Sequence, residues 1–210
     1  MPQDYVLARL LANNKQWADD VEEKHPGFFE ESAHNKQSPK VLYIGCSDSR
    51  VPESVATMSM PGDIFVHRNI ANQFHLDDDN ALSVLTFAVA ALGVSHIIVA
   101  GHTGCGGVQA AHDTAHPPPS GFEAPQEPLP RWLAPLTEIA RAPEFEGDLA
   151  ALTEANVRAQ VADVAKTDVV RAAWAEGKDL QVHGWVYELE TGRFRDMGIS
   201  VDGPCEENVV

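Results

Sequence analysis

At 210 residues, with 44% apolar residues and a mean hydropathy of −0.21, the chain reads as one soluble globular domain with room for a sizeable core. Fifteen basic against 31 acidic residues give a net charge of −16, a surface that repels nucleic acid and anionic membranes, so neither is an expected partner. The three cysteines show no secreted-type pairing, the N-terminus lacks a signal or transit pattern, and no apolar run approaches the roughly 18 residues of a membrane span, so the expected compartment is the cytoplasm.

Residues 3–22 read as an amphipathic helix, with Val6, Leu7, Leu10, Leu11, Trp17 and Val21 at spacings of three and four or their sums. This helix precedes the first strand and should pack on the core or on another subunit. Phe28 and Phe29 fall in an expected loop leading to Gln37-Ser38-Pro39. Val41–Gly45 is a short apolar run of the kind found in strands covered on both faces. A short helix at 52–58 and a Pro61-Gly62 turn lead to a second strand, Ile64–Val66, ending at His67-Arg68-Asn69. Asp77–Asn80 supplies caps for a helix over 80–92, with Leu82, Leu85, Val89 and Leu92 inward and Gly93 as its stop. A third strand, His96–Ala100, opens through a glycine-rich turn into a helix reaching about His112.

Residues 116–130 hold six of the chain's 14 prolines and read as a loop. Helices over 131–141 and roughly 148–176 follow, the second closed by Gly177. Leu180–Tyr187 is a fourth strand, and Thr191-Gly192 turns into a fifth at about 193–200. Strands alternating with helices predict an α/β fold: a mainly parallel central sheet of four strands, helices on both faces, and an N-terminal helical arm. The short 187–193 connection makes the fifth strand an antiparallel edge, since parallel neighbours need a longer crossover. The expected organisation is a single domain over 1–210, with the arm at 1–35, the α/β core at 36–200 and an acidic tail at 201–210.

Two motifs stand just past strand ends, where open parallel α/β sheets gather their ligands. They are Gly45-Cys46-Ser47-Asp48-Ser49-Arg50 and Gly101-His102-Thr103-Gly104-Cys105-Gly106-Gly107. Cys46, His102, Cys105 and Asp48 offer two thiols, an imidazole and a carboxylate, a complete ligand set for one zinc ion. Cys46 and Asp48, two apart, point to one side in extended chain. His102 and Cys105 are three apart across a turn that the glycines leave free to bend. Either cysteine alone would read as a small buried hydrophobe; the joint pattern at two strand ends points to a metal. Ligand count alone allows a closed structural site as well as an open catalytic one. Arg50 can hold the Asp48 carboxylate bidentately and keep it off the metal, although Asp-x-Arg is elsewhere usually a surface ion pair.

At these residues the sequence resembles the β-class carbonic anhydrases (carbonate dehydratases), closely in both metal motifs and through 37–112, with weaker echoes to about 200. The resemblance implies zinc-dependent, reversible hydration of carbon dioxide to bicarbonate and a proton, with zinc-bound hydroxide as nucleophile. It implies one zinc per subunit held by Cys46, His102 and Cys105, with water or Asp48 in the fourth position. Asp48 would act as gate and hydroxide acceptor, and Arg50 as its partner. Gln37 resembles the family's amide that reaches substrate from across a dimer interface. Phe65 and Ile70 look like apolar lining for the substrate. Phe87 stands where many relatives have tyrosine, so a phenol hydrogen bond is absent there, and Gly106 looks like the glycine whose amide faces the site. Tyr43, Arg68 and Tyr187 match a tryptophan, an arginine and a tyrosine that form a non-catalytic bicarbonate pocket in some relatives. There, bicarbonate favours a closed state in which the aspartate ligates zinc; here Tyr43 replaces the tryptophan. The arm and Gln37 together imply a homodimer or a dimer of dimers.

Among the remaining histidines, His67 and His112 are candidates for a proton shuttle, and Cys205 reads as a free thiol without a site role. Asp77–Asp79 lacks the spaced ligands of a calcium loop and reads as a helix start. Two rival readings share the motifs. One is hydrolysis of another small linear substrate, such as carbon disulfide or carbonyl sulfide. The other is a non-catalytic bicarbonate or zinc sensor closed by Asp48, against which the presence of Arg50 and Gln37 argues.

Overall fold

A computed structural model describes residues 2–117 and 127–203 and separates the chain into two units at Gln37–Ser38. The N-terminal unit consists of α1 (Pro2–Lys24) and α2 (Phe28–His34). The expected loop at Phe28-Phe29 is thus corrected to a helix. Gly27 turns the chain with φ 83, and Glu30 and Glu31 sit in the first turn of α2, where the helix dipole favours negative charge. Phe29 then packs edge-on against Trp17 at 5.7 Å and against Phe28 at 5.2 Å. Those aromatic contacts lie between segments, so helical periodicity within one segment could not show them.

The second unit is built on five strands: β1 (Val41–Cys46), β2 (Ile64–Asn69), β3 (His96–His102), β4 (Gln181–Glu188) and β5 (Arg193–Val201). Their order is β2-β1-β3-β4-β5; the first four are parallel and β5 pairs antiparallel with β4, as the connection lengths predict. Side chains alternate between the sheet's faces. Leu42, Ile44, Ile97, Val99, Val182 and Val186 belong to the main core together with Leu85, Val89, Val157, Val161, Val164, Val170 and Trp174. Those partners come from α4 (Asp79–Thr86) and the helical turn after it, from α8 (Leu149–Lys166) and from α9 (Asp168–Ala175). The opposite face carries a smaller cluster, Tyr43, Ile98 and Ala100, with Trp185 and Phe194 against it.

Helix positions follow expectation, with three internal corrections. The single helix over 148–176 is two, because Thr167 takes an extended ψ of 145 and turns its hydroxyl back to the Val164 carbonyl at 2.7 Å. The helix over 80–92 changes at Phe87 into a π-helical segment, Phe87–Leu92, which buries Ala88 and Val89 and leaves Leu82 and Leu92 half-buried. Of the expected loop over 116–130, residues 118–126 lie outside the described residues, and its end is corrected, since α6 (Leu129–Trp132) begins inside it and is followed by α7 (Ala134–Ala140). Gly93 (φ 69) and Gly177 (φ 73) end their helices in the left-handed conformation, as read from the sequence. The remaining helices are α3 (Glu53–Ala56) and α5 (Gly106–Ala115). None of the described helices is long and apolar enough to cross a membrane. Cys205 and all but the first three residues of the expected tail lie outside the described residues.

Candidate metal centre

β1 and β3 are neighbours in the sheet, so their last residues, Cys46 and His102, end side by side. Three residues beyond His102 the chain has turned back, and Cys105 stands at the N-terminal cap of α5. The ligand atoms of Cys46, His102 and Cys105 lie within 4.8 Å of one another, and all three residues are buried. The two sulfurs are 3.9 Å apart. That separation suits a tetrahedral ion with metal–sulfur bonds of about 2.3 Å, for which the sulfurs would stand roughly 3.8 Å apart.

His102 is 1% exposed, and its ring is held from behind, Nδ1 lying 2.9 Å from the Thr103 carbonyl. With that nitrogen donating, Nε2 is left as an acceptor facing the cysteines, and it has no hydrogen-bond partner. A buried acceptor without a partner is unfavourable by roughly 1–3 kcal/mol. A cation between it and the sulfurs would satisfy it, so the donor set fits a metal. The adjoining Cys105 thiol, and after it the nearby His102 ring, lower the Cys46 thiol to about 4 against the effect of burial, with further help from the backbone N–H groups of Asp48 and Ala71. The Cys105 thiol is pushed strongly up, first by its bond to Cys46 and then by burial and the Cys46 charge. The pair therefore gives up one proton readily and the second only when a cation offsets the charge. His102 is raised despite burial, because the Cys46 thiolate stabilises its protonated form.

Asp48 stands at the rim, Oδ2 3.9 Å from His102 Nε2. Arg50 grips the carboxylate with two donors, Nε to Oδ1 at 3.0 Å and an Nη to Oδ2 at 2.7 Å, and its own N–H adds a third bond at 2.9 Å. The same Nη reaches the Gly104 carbonyl at 3.1 Å, tying the first motif to the second. Hydrogen bonds from Arg50 hold the Asp48 carboxyl well below the usual carboxylate range.

The other expected site residues are dispersed. Ile70 lines a groove of about 410 Å³ with Ser47, Asn69, Pro128, Leu129 and Trp132, so it sits beside the residue that follows Cys46. Phe65 stacks on Phe87 at 5.9 Å, and Phe87 lines a different depression, with Asp79, Leu82 and Thr86. Gly106 is the first residue of α5, and Gln37, in the N-terminal unit, is exposed. Tyr43 and Tyr187 both pack on Phe194, at 6.3 and 4.9 Å. Arg68 donates to the carbonyls of Cys46 (2.8 Å) and Asp48 (2.6 Å) and lies 3.7 Å from Glu53, a buried carboxylate that sequence patterning did not single out. Burial raises the Tyr43 phenol, so it stays protonated. His112 is engaged at both nitrogens, Nε2 accepting from Gly147 and Nδ1 beside Asp113. His67 is buried, which lowers its pKa, and its Nε2 accepts from Asn69.

A parallel α/β sheet that ends two adjacent strands in a Cys/His/Cys cluster, flanked by an arginine-held aspartate, defines the class of site. The family model described as carbonic anhydrase matches residues 41–194. Curated carbonic anhydrases from Emericella nidulans and Candida albicans are 38% and 32% identical, over 93% and 96% of this chain and 85% and 72% of their own lengths. Among solved structures, a tetrameric β-carbonic anhydrase from Sordaria macrospora superposes with a TM-score of 0.81 at 33% identity, covering 94% of this chain and 99% of that one. The β-carbonic anhydrase CafA of Aspergillus fumigatus also gives 0.81, at 36% identity, over 91% of this chain and 90% of its own. This chain belongs to the β-class carbonic anhydrase family, and it is a carbonic anhydrase enzyme.

Proposed function

We propose that the chain catalyses the reversible hydration of carbon dioxide to bicarbonate and a proton, using one zinc ion per subunit held by Cys46, His102 and Cys105. The observation that carries this reading is the unpartnered, buried Nε2 of His102, aimed at two sulfurs 3.9 Å apart. Two thiolates and an imidazole are soft and borderline donors, which suit zinc and disfavour magnesium, calcium or manganese. Three protein ligands with one position left over is the arrangement of catalytic rather than structural zinc. Zinc supplies, when bound, a Lewis acid that makes water a nucleophile near neutral pH.

The chain's own residues then have distinct tasks. Cys46 and Cys105 carry the negative charge that retains the ion. Thr103 fixes the tautomer of His102 through Nδ1. Asp48 stays ionised and acceptor-only because Arg50 engages it, so it can take a hydrogen bond and orient whatever donates it. Arg50, anchored to Gly104, keeps that carboxylate at the rim. Ile70 offers apolar surface beside the centre, suited to a nonpolar gas. Gly106, at the start of α5, presents a backbone N–H that could receive an oxygen of the substrate. A homodimer or dimer of dimers is favoured by the exposed apolar stripe of α1, with Tyr5, Leu7, Leu10 and Leu11 open to solvent in the single chain. In such an assembly Gln37 would reach the partner's site. The acidic surface and the free buried thiols are in keeping with a reducing, cytoplasmic setting.

Zinc analysis with stopped-flow hydration tests the assignment. Cys105→Ala should reduce bound zinc from about one per chain to a small fraction, and hydration should fall to near background with it. A Cys105→Ala protein that keeps one zinc and the full hydration rate would refute the ligand set.

A further inference from the structure

Behind the metal centre, the chain between β2 and α4 makes a turn that two non-glycine residues, Ala71 (φ 61) and Asn72 (φ 48), pass in the left-handed region. Such backbone persists only where its surroundings impose it. On the metal side, Ala71 is fully buried in the cluster that contains Cys46 and Cys105. Gly107, two residues after Cys105, leaves room for it. A Cβ at Gly107 would come within 2.9 Å of both the Ala71 Cβ and the Ile70 Cγ2.

On the far side, the carbonyl of Ala71 accepts two hydrogen bonds, from Gln73 Nε2 at 2.9 Å and from Asn156 Nδ2 at 3.0 Å. Asn156 lies on α8 and is fully buried. Its Oδ1 accepts from Gln73 Nε2 at 2.7 Å and from Gln160 Nε2 at 3.1 Å, while Gln160 Oε1 accepts from the Phe74 N–H at 2.7 Å. Asn69 closes the loop, exchanging side-chain bonds with the backbone of Gln73 at 2.7 Å each way. Three fully buried amides, with the half-buried Asn69 beside them, are expected to specify one arrangement rather than add net stability. Asn156 is the one from outside the turn that touches Ala71.

We propose that Asn156 is a positioning residue for the metal centre, locking the Ile70–Asn72 turn through the Ala71 carbonyl so that Ala71 keeps its place in the cluster with Cys46 and Cys105 and its Cβ against the start of α5. The inference rests on Cys46, His102 and Cys105 being the zinc ligands. Gln160 serves as the internal control, because it shares the network and the burial but does not contact Ala71.

The experiment compares the full-length wild type with Asn156→Leu and Gln160→Leu. Three quantities are read: zinc affinity by chelator competition, the sulfur-to-cobalt charge-transfer band of the cobalt-substituted protein, and the thermal midpoint. Both variants should lose thermal stability. Asn156→Leu should bind zinc about 10- to 100-fold more weakly, the usual effect of removing support behind a ligand, and should shift the cobalt band. Gln160→Leu should stay within about threefold of wild type in affinity, with an unaltered band. If Asn156→Leu does not fold, Asn156→Asp, which keeps the shape and the acceptor but removes the donor to Ala71, is read in the same way. Wild-type zinc affinity and cobalt spectrum in the Asn156 variant would overturn the proposal, as would equal weakening in the Gln160 variant. A wild-type chain that binds no zinc would instead overturn the ligand assignment beneath it.

Discussion

Strand β3 carries a histidine at each end, and the two ends of the sheet use them differently. At its start, His96 is half-buried with Nδ1 3.2 Å from His183 Nε2, and His183 Nδ1 meets the Ser200 hydroxyl at 2.8 Å. Every nitrogen named there has a partner. At the other end, His102 Nε2 is buried, unpartnered and within reach of two thiols. Residue type is the same and strand position is comparable, yet of the two only His102 leaves a buried ring nitrogen unsatisfied. What distinguishes a metal centre is the convergence of donors that the protein itself does not pair.

The sharpest way to break that comparison is to remove each histidine in turn. His102→Gln should weaken zinc binding by about 100-fold or more, since the amide is a poor ligand and one of three donors is lost. His96→Gln should leave zinc affinity within about twofold. Chelator competition on both proteins measures this, and equal losses would erase the distinction between the two ends. A smaller effect is expected at the rim. Arg50→Ala removes two side-chain bonds from Asp48 and the tie to Gly104, so the Asp48 pKa rises toward its ordinary value and the carboxylate is no longer held in place. Hydration should drop by about 10- to 100-fold with the zinc content retained. Loss of zinc in parallel would mean that Arg50 is structural.

Much of this was legible in the sequence because the informative residues lie close together in it. Cys46 to Arg50 and His102 to Cys105 are short motifs at the ends of clean apolar runs, and strand neighbourhood brings them together. The parallel sheet and its antiparallel edge followed from connection lengths. What stayed hidden depends on contacts distant in sequence. Asn156 and Gln160 interrupt the apolar stripe of α8 at i and i+4, a signal that a count of apolar residues passes over, and their partners lie 83 to 86 residues away. The Phe28–His34 helix depends on Trp17, and the break at Thr167 on a single backbone angle. Glu53 is buried on a four-residue helix, where periodicity carries no information.

The smallest effect is expected at the far end of the sheet, and it concerns stability rather than activity. Burial lowers the His183 pKa, and the neighbouring His96 lowers it further by charge repulsion, against a smaller opposing pull from Asp196. Its folded value therefore lies below the unfolded value of about 6.5. Between the two values the folded state binds fewer protons than the unfolded state, so this stabilising contribution is full above the unfolded pKa and is lost as pH falls from there through the folded pKa. His183→Gln, which keeps a polar group between His96 and Ser200, should reduce the fall in thermal midpoint between pH 7.5 and 5.5 by about 1–3 °C. Acid also protonates Cys46, His102 and Cys105, the proposed zinc ligands, but that loss is common to both proteins at matched zinc, so the difference between their slopes isolates the His96 end. Identical slopes would mean that the histidine pair is indifferent to proton binding, and acid sensitivity would then belong to the metal end alone.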